Sequence, residues 1–200
     1  MKVQIKEGKN KKEFNLINSW SDVTLEKWVK MTEFKKGTKS KEAENTIALL
    51  SDMPKKMIKQ LELSTVATIM SAVARLQREQ KKGLKRIINV NGKEYGFHPD
   101  LDSITLGEYA DIETYIKLGL QEHLPEIMAI LYRPVLEKKG KLYTIEAYNG
   151  EIKIRAEEMR QMSAEQVQSA LVFFWIFVNA LLKTLPSSSM ESLTKTIKEL

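Results

Sequence analysis

The residues best suited to chemistry are His98-Pro99-Asp100-Leu101-Asp102-Ser103, followed by Glu108 and Asp111. A histidine flanked by carboxylates can ligate a metal ion or transfer protons. The same spacing has a plainer use. Asp102, Ser103 and Thr105 crowd a helix start, where side-chain oxygens satisfy free backbone N–H groups and acids favour the helix dipole. His123 is the other histidine of the chain, so a two-histidine metal site would need distant segments. There is no glycine-rich phosphate loop, no His-Glu-x-x-His and no Gly-x-Ser-x-Gly. The expectation is a protein that is not an enzyme, with no catalytic residue, metal or cofactor.

Cations form the next group. Arg75, Arg78, Lys81, Lys82, Lys85 and Arg86 make a basic run at the end of a long helical segment, and clustered cations are candidate phosphate contacts. Cations also favour helix C-termini and solvated faces, and aromatic residues do not interleave this run as stacking on single strands would require. Residues 1–41 hold eleven lysines against five acids, which accounts for the whole net charge of +6; the rest of the chain balances. None of those cations is arginine, the residue of bidentate phosphate recognition, so nucleic acid is a weak expectation as a partner.

Candidate contacts to protein partners lie elsewhere. Tyr132 and Arg133 stand at a helix-to-strand corner, where they either anchor an interface or tie down a loop. Phe173, Phe174, Trp175, Ile176 and Phe177 surround a helix on every side, more apolar surface than one small domain readily covers. Phe174 and Trp175 are the expected interface residues of that set, and Phe173 and Phe177 the buried ones. Leu193, Ile197 and Leu200 put one apolar stripe on a short tail helix, whose Ser188 and Glu191 have capping-box spacing.

The totals fit elements that could position such residues. A chain of 200 residues, 42% hydrophobic and 29% charged, has the composition of a globular protein rather than a disordered one. It has no cysteine, which excludes a disulfide framework and a thiolate metal site. Met1-Lys2-Val3-Gln4-Ile5-Lys6-Glu7 lacks the apolar stretch of a signal peptide, so no export is expected. The apolar run from Ala170 to Leu182 falls short of the ~20 residues that span a bilayer and predicts a buried helix, so no membrane association is expected.

The pattern predicts an α+β fold, mainly helical. Strands flank Glu7-Gly8-Lys9-Asn10, and Thr24 caps a helix carrying Leu25, Trp28 and Met31. Residues 35–43 read as a polar connector. Helices follow at about 43–51 and 54–62, then from Ser64 to about Lys82. Asn91-Gly92 sits between Ile87-Ile88-Asn89-Val90 and Lys93-Glu94-Tyr95-Gly96-Phe97, the signature of a two-residue hairpin turn. Thr105 caps a helix through Leu106, Tyr109, Ile112 and Ile116, and another runs from Pro125 to Tyr132. Residues 135–155 read as short strands. Ser163 and Gln166 have capping-box spacing before the long apolar helix, which ends near Leu185.

A fixed offset of 81 residues then matches one half to the other. It pairs Lys12-Glu13-Phe14 with Lys93-Glu94-Tyr95, Val23-Thr24-Leu25 with Ile104-Thr105-Leu106, and Trp28 with Tyr109. It also pairs Ile47-Ala48-Leu49-Leu50 with Met128-Ala129-Ile130-Leu131. Later the offset becomes 101, which pairs Gln60 with Gln161 and Val66 with Val167. The pattern predicts an internal duplication of hairpin, helix, helix and long helix, with an extra short strand segment in the second half. The expected parts are residues 1–86 with the basic section, 87–185 with the strands at 135–155, and a linker and tail at 186–200. The two long helices should pack together, and Trp28 and Tyr109 should both be mostly buried.

Three stretches carry a resemblance: Gly92-Lys93-Glu94-Tyr95-Gly96-Phe97-His98-Pro99-Asp100-Leu101, Thr105-Leu106-Gly107-Glu108-Tyr109-Ala110-Asp111, and Met128-Ala129-Ile130-Leu131-Tyr132-Arg133-Pro134-Val135. Over about residues 92–182 the chain resembles structural and assembly proteins of tailed bacteriophages, including crAss-like and other phages of Bacteroidetes hosts. The resemblance brings no catalytic residues. It implies virion morphogenesis, as a head–tail connector or tail component that oligomerises and binds other virion proteins, located in the virion after assembly in the host cytoplasm. The alternatives are a tail assembly chaperone that does not stay in the particle, or a nucleic-acid-binding protein using the basic N-terminal section.

Overall fold

A computed structural model describes residues 2–7, 10–78 and 83–182, with side chains described at 2–4, 12–78 and 83–175. Among them the chain forms a mixed α/β fold of eight α-helices, two 3-10 turns and two sheets. It divides into two compact units, Met1–Lys81 with Ser163–Glu165, and Lys82–Met162 with Gln166–Leu200. The return of 163–165 to the first unit is not visible in the sequence. The expected tail stripe of Leu193, Ile197 and Leu200 lies outside the described residues, as do Lys81 and Lys82.

The first unit opens with an antiparallel hairpin, β1 (Lys2–Glu7) and β2 (Asn10–Asn15), in which Val3 faces Phe14. Ser19 and Asp22 then form a reciprocal capping box around the 3-10 turn Trp20–Asp22. Helix α1 (Leu25–Phe34) begins where the extended Thr24 accepts a hydrogen bond from the Lys27 N–H. Helix α2 (Lys39–Leu50) starts about four residues before its sequence expectation because Thr38 caps it in the same way. A capping threonine therefore outweighs the polar composition of 39–43. Pro54 cannot donate a backbone hydrogen bond and serves as the cap of the single turn α3 (Lys55–Ile58), and α4 (Leu63–Arg78) follows. Trp20, Ile47, Leu50, Ile58, Ile69 and Val73 make the core. Ala164 joins them, its N–H donating to the Val23 carbonyl at 2.7 Å.

In the second unit β3 (Ile87–Val90) and β4 (Lys93–Phe97) pair across Asn91 and Gly92, at φ 51° and 82°. Positive φ at both turn residues is what a type I′ hairpin requires, and Asn-Gly accepts it. Helix α5 (Leu106–Gly119) starts in a capping box between Thr105 and Glu108. Helix α6 (Leu124–Leu131) buries every residue but Glu126 and forms the centre of this unit. The chain passes directly into β5 (Tyr132–Lys139) and β6 (Leu142–Ile145), completing a sheet of order β3-β4-β5-β6. The strand expectation for 135–155 fails at its end, because α7 (Ile152–Met159) begins there. Its buried residues, Ile152, Arg155, Ala156 and Met159, follow helical spacing, with an arginine hiding the apolar stripe. Helix α8 (Ala164–Leu182) is the last described element.

Apart from β5 and β6 the two units share an order of elements, and several backbone hydrogen bonds recur at the 81-residue offset. Ile17 N–H donates to Leu50 O and His98 N–H to Leu131 O; Trp28 N–H donates to Thr24 O and Tyr109 N–H to Thr105 O. The 3-10 turn Trp20–Asp22 corresponds to Leu101–Ser103. Side chains depart from the pattern. Trp28 and Tyr109 are both half-buried rather than mostly buried. Leu25 is fully buried where Leu106 is 82% exposed. Likeness of architecture is thus found, and common descent by duplication is not established by it.

Candidate functional site

The cluster around His98 is where the sequence concentrates reactive groups, and each has a local occupation. Asp100 accepts a hydrogen bond from the Asp102 N–H at 3.0 Å, capping the 3-10 turn that follows. Glu108 is 1% exposed although it is a carboxylate in the first turn of α5. One of its oxygens takes the Thr105 N–H and the Thr105 hydroxyl, each at 2.7 Å. The other stands 2.8 Å from Arg133 Nη2. His98 Nε2 is 3.6 Å from that same oxygen, beyond hydrogen-bond length. Asp111 accepts a hydrogen bond from the Tyr148 hydroxyl, and the Arg133 guanidinium lies over the Tyr148 ring at 5.9 Å.

Electrostatics follow from burial. Desolvation holds the His98 pKa below its ordinary value; the Glu108 charge opposes that lowering and the Arg133 charge adds to it. Burial likewise lowers the Arg133 pKa, opposed by Glu108. His98 Nδ1 and Arg133 Nε are buried without a hydrogen-bond partner among the described residues. The cluster is a closed ionic clamp that fastens the start of α5 to β5. Among the described residues no group of three or more acids or histidines could hold a metal ion.

Tyr132 and Arg133 were expected either at an interface or tying down a loop, and the fold uses them for the second purpose. Tyr132 is fully buried and donates from its hydroxyl to the Lys85 carbonyl at 2.8 Å; Arg133 is 5% exposed. Neither is available as a surface contact, a correction to the partner-contact expectation. Phe174 is corrected too. It is fully buried, Trp175 beside it is half-buried, and Phe173 is 38% exposed, the reverse of the assigned roles. Phe177 falls outside the described side chains.

The basic run is shared between the units. Arg75 and Arg78 are exposed in the last turn of α4, in the first unit. Lys85 and Arg86 are exposed in the second, where Arg86 reaches the Pro99 carbonyl at 3.5 Å. The sequence did not reveal a cleft of about 120 Å³ in the first unit. Trp20, Trp28, Met31, Met70, Val73 and Ala74 give it apolar walls, while Lys35 and Glu42 add charge. At the 81- and 101-residue offsets, Thr46, Val73 and Ala74 of this cleft correspond to the bulkier Ile127, Phe174 and Trp175.

The surface features that remain are apolar. Leu136 and Leu142, on β5 and β6, are 65% and 76% exposed. Strand β6 is an edge of its sheet, and β5 carries a register shift between Val135 and Glu137. Among the described residues no helix is long and apolar enough to cross a membrane. Fold and sites therefore define an α+β protein of two compact units that presents exposed leucines and an open sheet edge. No protein-family model, no curated protein and no solved structure matches the chain.

Proposed function

We propose that the protein acts in the morphogenesis of a tailed bacteriophage, as a head–tail connector or tail structural component working through protein contacts and oligomerisation. The phage resemblance of residues 92–182 supplies the setting. The observation that carries the contact role is the β5–β6 arm. It has no counterpart in the element order of the first unit. It presents Leu136, Leu142 and the free edge of β6, which offers backbone N–H and C=O groups to another chain. An added element that leaves leucines in water serves a partner better than it serves the stability of its own unit.

Quantitative mass spectrometry of purified particles tests this reading, with stoichiometric retention as the expected result. Absence from particles combined with co-purification on an unassembled tail protein would replace it with the chaperone role. Absence from both, with DNA binding that weakens steeply as salt rises, would overturn it in favour of nucleic-acid binding.

A further inference from the structure

The first unit leaves open a space that the second unit fills with its own rings. The cleft of about 120 Å³ lies between α1, α2 and α4. Trp20 and Trp28 stand in its wall, their ring centroids 6.2 Å apart and their planes at 69°. At the 81- and 101-residue offsets its Thr46, Val73 and Ala74 correspond to Ile127, Phe174 and Trp175. Ile127 and Phe174 are fully buried, and the Phe174 and Trp175 rings lie 6.0 Å apart. The larger Trp20 and Trp28, standing where the second unit has Leu101 and Tyr109, do not close the space.

Volume decides what kind of group fits. Pockets for whole small molecules run to about 300–1,000 Å³, whereas an apolar cavity of about 150 Å³ takes up a single benzene ring. This cleft therefore holds one side chain, and its tryptophan and methionine walls suit an aromatic one. Charge at the rim adds a second requirement. Glu42 is held by Lys39 at 2.8 Å, while Lys35 is exposed with no ion pair among the described residues. The rim is thus net positive and favours a ring that stands next to a carboxylate. Trp20 is fully buried, and its Nε1 has no hydrogen-bond partner among the described residues. That is uncommon for a buried donor and marks packing that is incomplete here.

We infer that the cleft receives one aromatic side chain, phenylalanine or tryptophan, from an acidic segment of a partner protein. A ring seated in a small desolvated pocket is the kind of anchor that carries most of the energy of a protein contact. Phe173, Trp175 and Phe177 of α8 have no acid within four residues on either side, and residues 183–200 hold no aromatic residue. Those segments, of this chain or of a second copy, therefore lack the required pairing. The site belongs to the first unit alone, so it goes beyond the β5–β6 arm and does not rest on it.

Two-dimensional NMR of the full chain reads this directly. Its three tryptophans give three indole N–H signals, with Trp175 outside the cleft as control. The probes are the capped dipeptides acetyl-Phe-Asp-amide, acetyl-Phe-Lys-amide and acetyl-Ala-Asp-amide, with free phenylacetate beside them. Acetyl-Phe-Asp-amide should shift the Trp20 and Trp28 signals at millimolar concentration. It should bind about threefold more tightly than acetyl-Phe-Lys-amide, the scale of one exposed ion pair. Lys35→Gln should erase that difference, and Ala74→Leu, which fills the cleft, should remove the shifts. No shift up to about 10 mM, equal shifts with acetyl-Ala-Asp-amide, or shifts that survive Ala74→Leu overturn the inference. Phenylacetate binding more tightly than the dipeptide overturns it in favour of a free small molecule. Trp20 and Trp28 signals that move in Phe173→Ala or Tyr109→Ala, with no probe added, place the chain's own second unit in the cleft and overturn it as well.

Discussion

Arg133 Nη2 stands 2.8 Å from Glu108 Oε1, and the two side chains are only 6% and 1% exposed. A buried pair of this kind is costly to break and cheap to replace. Removing one partner leaves an uncompensated charge out of water, at a cost of about 3–5 kcal/mol, whereas an apolar pair of similar volume is often neutral. Arg133→Met alone should therefore destabilise the protein by about that amount, and Glu108→Leu similarly. The double variant should recover most of the loss. Urea melts of the four proteins in a double-mutant cycle check this; additive losses would show that the clamp is not one unit.

His98 faces Glu108, Arg133 and Asp100, and desolvation lowers its pKa in the folded state. The sign follows from linkage. As pH falls below about 6.5 the unfolded chain takes up a proton at this position while the folded chain resists, so stability declines until the lowered folded value is passed. A melting profile of the wild type should slope downward through that window, and His98→Phe should flatten it. Titration of the ring protons by NMR reads the same group directly and should place its midpoint below 6.5. A midpoint at or above that value would contradict the burial argument.

Much of the fold was legible because caps and turns act locally. Thr24, Thr105 and Asn91-Gly92 each placed an element through backbone hydrogen bonding or dihedral preference, and these readings need no tertiary contact. The failures are tertiary. Residues 152–155 of α7 read as strand because Arg155 breaks the apolar stripe, and that arginine is buried on the Ala129 carbonyl and Glu146. Thr105 caps a helix as the sequence indicated, yet the sequence could not show that Glu108 of the same capping box also meets an arginine 25 residues away. The first-unit cleft depends on which side chains from three helices leave space, a quantity no local pattern carries.

Phe173 and Phe174 separate burial from apolar character at adjacent positions of α8. Phe174 is fully buried and Phe173 is 38% exposed. A carboxylate at 174 would be charged and unpaired away from water, and should cost several kcal/mol, enough to unfold a marginally stable domain. Phe173→Asp can turn its charge outward and should cost about 1 kcal/mol or less. Thermal melts of the two variants should differ widely, with 174 the damaging site. Equal tolerance would place the Phe174 ring in water.

Gly96 of β4 is covered by two side chains of β6, Tyr143 and Ile145. A Cβ at this glycine would come within 2.6 Å of the Tyr143 ring and 2.7 Å of the Ile145 side chain. The Tyr143 hydroxyl donates to the Phe97 carbonyl at 2.6 Å, holding the ring down at its far end. The ring cannot step aside without losing that bond, so Gly96→Ala must lift the arm or strain it. Overpacking of this kind costs about 1–3 kcal/mol, and a comparable loss of unfolding free energy is expected with helix content unchanged. Tyr143→Ala removes the nearer of the two obstructions and leaves Ile145, so the cost of Gly96→Ala should shrink in that background without vanishing. If alanine at 96 costs the same whether position 143 is tyrosine or alanine, the ring is not what the glycine accommodates. Ile145, whose side chain comes within 2.7 Å of the same Cβ, would then be the obstruction.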